Sequence, residues 1–121
     1  MDLYSEEILD HYKNSAYRGR LENPTFRAMS KNVSCGDELV VYIQVESQKI
    51  VDARFDGRGC AISQATCSMV MESLIGQRID DLGAFGEDDI LSLVGIDLGL
   101  NRKKCALLVL DALKQINDQH T

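Results

Sequence analysis

The stretch Glu38–Ser47, ELVVYIQVES, constrains this chain most. Leu39, Val41, Ile43 and Val45 alternate with Val40, Tyr42, Gln44 and Glu46. That is a period of two, with one apolar and one mixed face, and it reads as a strand. Ser47 and Gln48 read as a short turn, followed by KIVDARFDG, in which Val51, Ala53 and Phe55 alternate with Asp52, Arg54 and Asp56. The two runs predict an antiparallel hairpin. A further strand over Arg27–Val33 is expected on weaker patterning.

Helices surround the hairpin. Residues 3–13 place Leu3, Ile8, Leu9 and Tyr12 near one helical face, with Asp2 or Ser5 as cap. Residues 14–25, with the only proline, read as loop. Gly57 and Gly59 end the second strand, and a helix is predicted from Ala61 to Ile75 with Gly76 as its stop. Two short helices follow, with Asp80 and Glu87 near their starts, then a last helix over 101–117 with Ala106, Leu107, Leu110, Leu113 and Ile116 as its buried stripe. The order implies an α+β fold, a small antiparallel β-sheet with helices packed on one face. At 121 residues it is expected to form a single domain, 1–121, with one core.

Charge narrows the function. A net charge of −6 opposes a phosphate-binding surface, so nucleic acid is not expected as a partner; a basic protein surface suits it better. No apolar run reaches the ~18–20 residues of a membrane span. The N-terminal stretch lacks the basic and apolar regions of a signal peptide. A cytoplasmic protein is therefore expected, and there four cysteines point to metal binding or catalysis more than to disulfides.

Cys35-Gly36-Asp37 carries the chemistry. Gly36 permits a positive φ, so that Cys35 and Asp37 can turn toward one point. Cys60 follows the hairpin, which returns it to the same end of the sheet. Cys105 falls in the first turns of the last helix, beside Lys103 and Lys104, where positive charge favours a thiolate. Three thiolates and a carboxylate fill a four-coordinate site, and the carboxylate, a hard ligand for a soft metal, suits a site that opens. Cysteines are also among the most buried residues, so spacing alone leaves both a joint site and separate packing roles open. Cys67, seven residues after Cys60, is about 10 Å further along the same helix and reads as a buried hydrophobe. His11 and His120 read as packed or solvated, and Asp80-Asp81 and Glu87-Asp88-Asp89 as helix-start charges or solvated faces. Tyr4, Tyr12 and Tyr17 fit either an exposed contact surface or the core.

Four segments together, YSEEILDHYKN, SCGDELVVYIQV, ARFDGRGCAISQATCSMV and KKCALLVLDAL, resemble the iron–sulfur cluster scaffold family of IscU, SufU and the N-terminal domain of NifU. They span nearly the whole chain in the family's order. The resemblance implies that Cys35, Asp37, Cys60 and Cys105 are the cluster or metal ligands. It implies a non-enzymatic platform on which a transient 2Fe-2S cluster is built, with sulfur from a cysteine desulfurase and delivery to apo iron–sulfur acceptor proteins. As the alternative it carries a second reading, a zinc-dependent sulfur carrier of the SufU kind using the same four residues. Lys104 stands where IscU has histidine, as in SufU, whereas the insertion of SufU before the last helix is missing. LGLNR at Leu98–Arg102 replaces the LPPVK segment on which a specialised Hsp70 chaperone docks; with both prolines gone, that partner is not carried over.

Overall fold

The computed structural model describes residues 6–13, 15–32, 36–95, 103–104 and 107–120. The hairpin forms as expected. β2 (Asp37–Glu46) and β3 (Lys49–Arg58) pair antiparallel from Glu38↔Arg58 to Glu46↔Lys49. Ser47 and Gln48 join them with φ of 51° and 68°, the mirror-image turn that matches strand twist, here made without glycine.

One strand face departs from the expected alternation. Gln44 pairs with Asp52 but Val45 pairs with Ile50, so Val51 is the extra residue of a bulge. The bulge shifts the phase by one: Ile50 is buried and Val51 is 42% exposed. Of the three residues expected inward, only Ala53 and Phe55 reach the core. The inward row of β2 is Leu39, Val41 and Ile43, with Asp37 occupying its first position.

β1 (Phe26–Asn32) adds to β2 and gives the order β1-β2-β3, close to the expected strand. Its pattern is weak in sequence because its buried inward residues are the small Ala28 and Ser30. They are small because α4 (Leu108–His120) crosses there, and Ser30 Oγ donates to Asp111 Oδ2 at 2.9 Å. The same helix closes the edge of the sheet. Gln115 and Gln119 donate side-chain N–H groups to the β1 carbonyls of Met29 and Arg27, at 2.8 and 3.0 Å. A free edge would otherwise offer those carbonyls to another chain. At the opposite edge the loop expected over 14–25 runs beside β3, with Phe55 N donating to Tyr17 O (2.9 Å) and Gly19 N to Phe55 O (2.8 Å).

α2 (Ala61–Leu74) is the central helix, with ten buried residues that cover more than one face. A helix buried on more than one face shows no single apolar stripe, and the buried set of α2 mixes Ile62, Met69, Val70 and Met71 with the small polar Ser63, Thr66 and Ser68. It ends one residue before the expected Ile75, and Gly76 (φ 95°) turns the chain back so that its N–H reaches Ile50 O at 2.8 Å. α1 (Glu6–Lys13) lies on α2 through buried Ile8. Tyr12, near the edge of the apolar face, is 37% exposed, which is the surface alternative of its two readings. His11 is packed: its Nδ1 lies 2.7 Å from Ser68 Oγ, which also lies 2.7 Å from Ser15 Oγ. Tyr17 packs against the core, and Tyr4 lies outside the described residues.

The two short helices are a 3-10 helix (Ile79–Ala84) and α3 (Glu87–Val94). Their acids act as helix-start charges: Asp89 accepts from Gly86 N at 2.8 Å, and Glu87 pairs with Lys103 at 2.8 Å. Asp80 holds His120 at 2.9 Å, and that bond, then one from Arg78, keeps the Asp80 carboxyl below its usual range. α4 runs to His120, three residues past the expected end; Lys103 and Lys104 are helical and Leu107 lies in a turn, while the other residues of the expected first turns lie outside the described residues. Leu110, Leu113 and Ile116 are buried as expected, joined by Leu108, Val109 and Ala112; Ala106 lies outside the described residues.

Candidate metal centre

Three elements converge where β2 begins, β3 ends and α2 begins. Gly36, in the left-handed region at φ 73°, donates its N–H to Asn32 O at 2.9 Å and so ties the start of β2 to the end of β1. The expected positive φ at Gly36 is thus realised, and it delivers the chain into Asp37 on the core side of β2.

Asp37 is 3% exposed, and its Oδ2 is buried with no hydrogen-bond partner among the described residues. Burying a carboxyl oxygen unpaired costs free energy that an apolar residue at the same position avoids. An acid at the head of an inward row that continues Leu39, Val41, Ile43 is therefore a poor choice for stability. It is a good choice for a group that must meet a cation.

Gly57 and Gly59 shape the space in different ways. Gly57, at φ 148°, still pairs with Leu39, and a Cβ there would lie 2.1 Å from Glu38 O; it permits the hairpin. Gly59 is needed for room alone. A Cβ there would stand 2.7 Å from Ser63 Oγ, 2.8 Å from Asp37 Cγ and 2.9 Å from Asp37 Oδ1.

Cys60 comes next and caps α2, its Sγ accepting from Ser63 N at 3.4 Å. Its backbone is extended (φ −70°, ψ 165°), and the side chain is exposed. A sulfur at the N-terminal end of a 14-residue helix faces free N–H groups and the positive end of the helix dipole, which favours an anionic ligand set. Cys67, further along α2, is 2% exposed. Burial pushes its thiol well above the usual range, with Asp37 and Cys60 adding to the rise and Arg18 opposing it. It matches the expected buried hydrophobe.

Asp37 and Cys60 are thus brought to one end of the sheet, both bordering Gly59 and Ser63. Cys35 and Cys105, as well as Leu98–Arg102, lie outside the described residues. Among the described residues no three ligand-type side chains form a metal-holding group. Lys103, whose charge was expected to act on Cys105, is engaged with Glu87, and that bond raises its ammonium above the usual range. The residues present fit a cation: an orphaned carboxyl oxygen, a sulfur at a helix start, and a glycine that leaves them room. A hollow of about 570 Å³ on the outer sheet face, bordered by Arg20, Arg27, Met29 and Tyr42, contains no cysteine or histidine and is separate from this centre.

Sequence reading missed Ser63. Its signal was available: it is the third residue of a helix whose cap is Cys60, a position whose N–H turns back to the cap.

The family model of the NifU-like N terminal domain matches residues 3–119. The iron–sulfur cluster assembly scaffold protein IscU of Thermotoga maritima is 42% identical over 86 residues, which cover 71% of this chain and 61% of that protein. The zinc-dependent sulfurtransferase SufU of Bacillus subtilis is 31% identical over 135 residues, covering 93% and 88%. Among solved structures, SufU of Fervidobacterium islandicum, described as an assembly scaffold for the SUF system, superposes with a TM-score of 0.77 at 32% identity, covering 94% of this chain and 96% of that one. With its three-stranded antiparallel sheet, its helices and a match over nearly its full length, the chain belongs to the NifU-like N-terminal domain family.

Proposed function

We propose that this chain is a scaffold for assembly of 2Fe-2S clusters, with Cys35, Asp37, Cys60 and Cys105 as the cluster ligands. The cluster is cargo, built from iron and desulfurase-derived sulfur and then passed to apo iron–sulfur proteins. The observation that carries the reading is the buried, unpartnered Oδ2 of Asp37 beside the Cys60 cap of α2. Two kinds of ligand meet there. Thiolates hold a soft metal firmly, and a carboxylate holds it weakly, so the ligand set favours a cluster that forms and leaves. The exposed Cys60 sulfur is open to a partner, whereas Asp37 is shielded from water.

The likeness to SufU supports a second reading, a zinc-dependent sulfur carrier. The same four side chains would hold zinc, which keeps its thiolate ligands deprotonated. A released cysteine thiolate attacks the outer sulfur of the desulfurase persulfide. A new S–S bond forms on this chain, and the desulfurase cysteine leaves as thiolate. On this reading the protein is a sulfurtransferase, and on the first it is an assembly platform without turnover of its own.

The test is anaerobic purification with measurement of iron, zinc and sulfide. A visible spectrum is then recorded after incubation with a cysteine desulfurase, cysteine, ferrous iron and a reductant. Equal iron and sulfide with charge-transfer absorption supports the scaffold. Tight stoichiometric zinc, with persulfide on a cysteine and no cluster, supports the carrier.

A further inference from the structure

Ser63 bonds one described member of the ligand set and lies near the other. Its backbone N–H donates to Cys60 Sγ at 3.4 Å. Its side chain is beside Asp37, since the vacant Cβ position of Gly59 lies 2.7 Å from Ser63 Oγ and 2.9 Å from Asp37 Oδ1. Ser63 is itself only 4% exposed. No hydrogen bond joins the two groups; they stand side by side.

Among the described residues Asp37 Oδ2 is buried without a partner, and Oδ1 is the oxygen that borders the Gly59 gap beside Ser63 Oγ. A carboxylate that binds through one oxygen leaves the other to be satisfied, and outer partners of this kind orient ligands and tune their strength. With Asp37 at 3% exposure, bulk water is a poor supplier of that bond. The nearby amide of Gln64 is already engaged, donating to Gly59 O at 2.9 Å. Ser63 offers an adjacent O–H, and a hydroxyl turns at little cost.

We infer that Ser63 is a positioning residue for Asp37: its hydroxyl donates to Oδ1 when Oδ2 is bound to a metal, and so holds the carboxylate in one-oxygen coordination. The inference rests on the ligand set proposed above. It gives the weak ligand of the site a second control. Loss of the Ser63 bond frees the carboxylate to swing away, while the thiolates stay in place.

The experiment is a double-mutant cycle on zinc affinity, read by competition with a chromophoric chelator, together with the visible spectrum of the cobalt(II)-substituted protein. Ser63→Ala is expected to weaken zinc about tenfold in the wild-type background and to alter the cobalt bands. In the Asp37→Ala background the same change is expected to add nothing, because its effect travels through Asp37. Thermal melting with chelator present reports separately on folding. Equal losses in both backgrounds, or no loss from Ser63→Ala where Asp37→Ala does weaken zinc, overturn the inference and leave the ligand set standing. If Asp37→Ala itself leaves zinc affinity and the cobalt spectrum unchanged, the ligand set fails and the role of Ser63 falls with it.

Discussion

Asp37 and Gly59 share one space: a methyl group on Gly59 would stand 2.8 Å from Asp37 Cγ, closer than unbonded carbons pack. Gly59→Ala must therefore move the carboxylate or Ser63. The fold should survive, at a cost of about 1–3 kcal/mol for overpacking, while zinc affinity falls at least about tenfold, as for disturbed outer partners. Gly57→Ala is the contrast. Its Cβ would meet backbone at Glu38 O at a φ of 148°, so it should damage the hairpin and lower folding stability far more. Melting temperature and chelator competition on both variants check this. Unchanged zinc binding in Gly59→Ala would refute the shared-space argument.

Cys67 should behave as core. Cys67→Ser is expected to keep metal or cluster stoichiometry nearly unchanged and to lose about 1–3 kcal/mol of stability, from placing a hydroxyl at a 2% exposed position. Because burial raises its thiol, Cys67 should stay unlabelled by iodoacetamide near pH 8 until the protein unfolds, whereas exposed Cys60 labels in the native state. Mass spectrometry of peptides labelled with and without denaturant separates the two. Loss of half the bound metal in Cys67→Ser would show that the ligand set is wrong.

Much of this was legible in the chain, for physical reasons that differ by element. β2 announced itself because Leu39, Val41 and Ile43 all face one side, and the pleat forces a period of two. β3 was half legible: its bulge places Ile50 and Ala53 on the same side, which no alternation rule expresses, so Val51 was assigned to the wrong face. β1 was faint because a helix packs so close that only Ala28 and Ser30 fit inward. At the site, the Cys-Gly-Asp pattern gave the positive φ at Gly36 and the carboxylate, because glycine takes a left-handed φ at the least cost. The role of Ser63 was hidden. Its nearness to Asp37, across the gap at Gly59, joins residues on different elements, and no spacing along the chain encodes it.

The glutamines of α4 give a prediction about solubility. Gln115 and Gln119 are one turn apart and satisfy two successive outward carbonyls of β1. Replacing both by alanine removes three exposed side-chain hydrogen bonds, the third from Gln115 to Asp111 Oδ2 at 3.3 Å, worth about 0.5–1.5 kcal/mol each. It also uncovers the edge strand. The double variant should melt slightly lower and aggregate faster at high concentration, measured by light scattering below the melting temperature. Unchanged aggregation would show that packing of α4, and not its glutamines, protects the edge.

Asp37 is expected to trade stability for release. With chelator present, Asp37→Ala removes a buried oxygen that has no partner, so the variant should be more stable by about 1–3 kcal/mol, the usual penalty of an unsatisfied buried group. Denaturant unfolding of the two proteins measures that gain. With a cluster assembled, the carboxylate is the hard ligand and the first to leave a soft metal. Its removal leaves three thiolates and a position that water or the exposed Lys104 can take. The cluster should then persist longer and pass more slowly to an apo-ferredoxin, whereas a single zinc ion, stripped of one of four ligands, should bind more weakly. Cluster half-life and transfer rate for the variant beside wild type decide the matter. Faster cluster loss from Asp37→Ala would falsify the labile-carboxylate argument. Lower stability under chelator would mean that Asp37 has a packing role its unpartnered oxygen does not reveal.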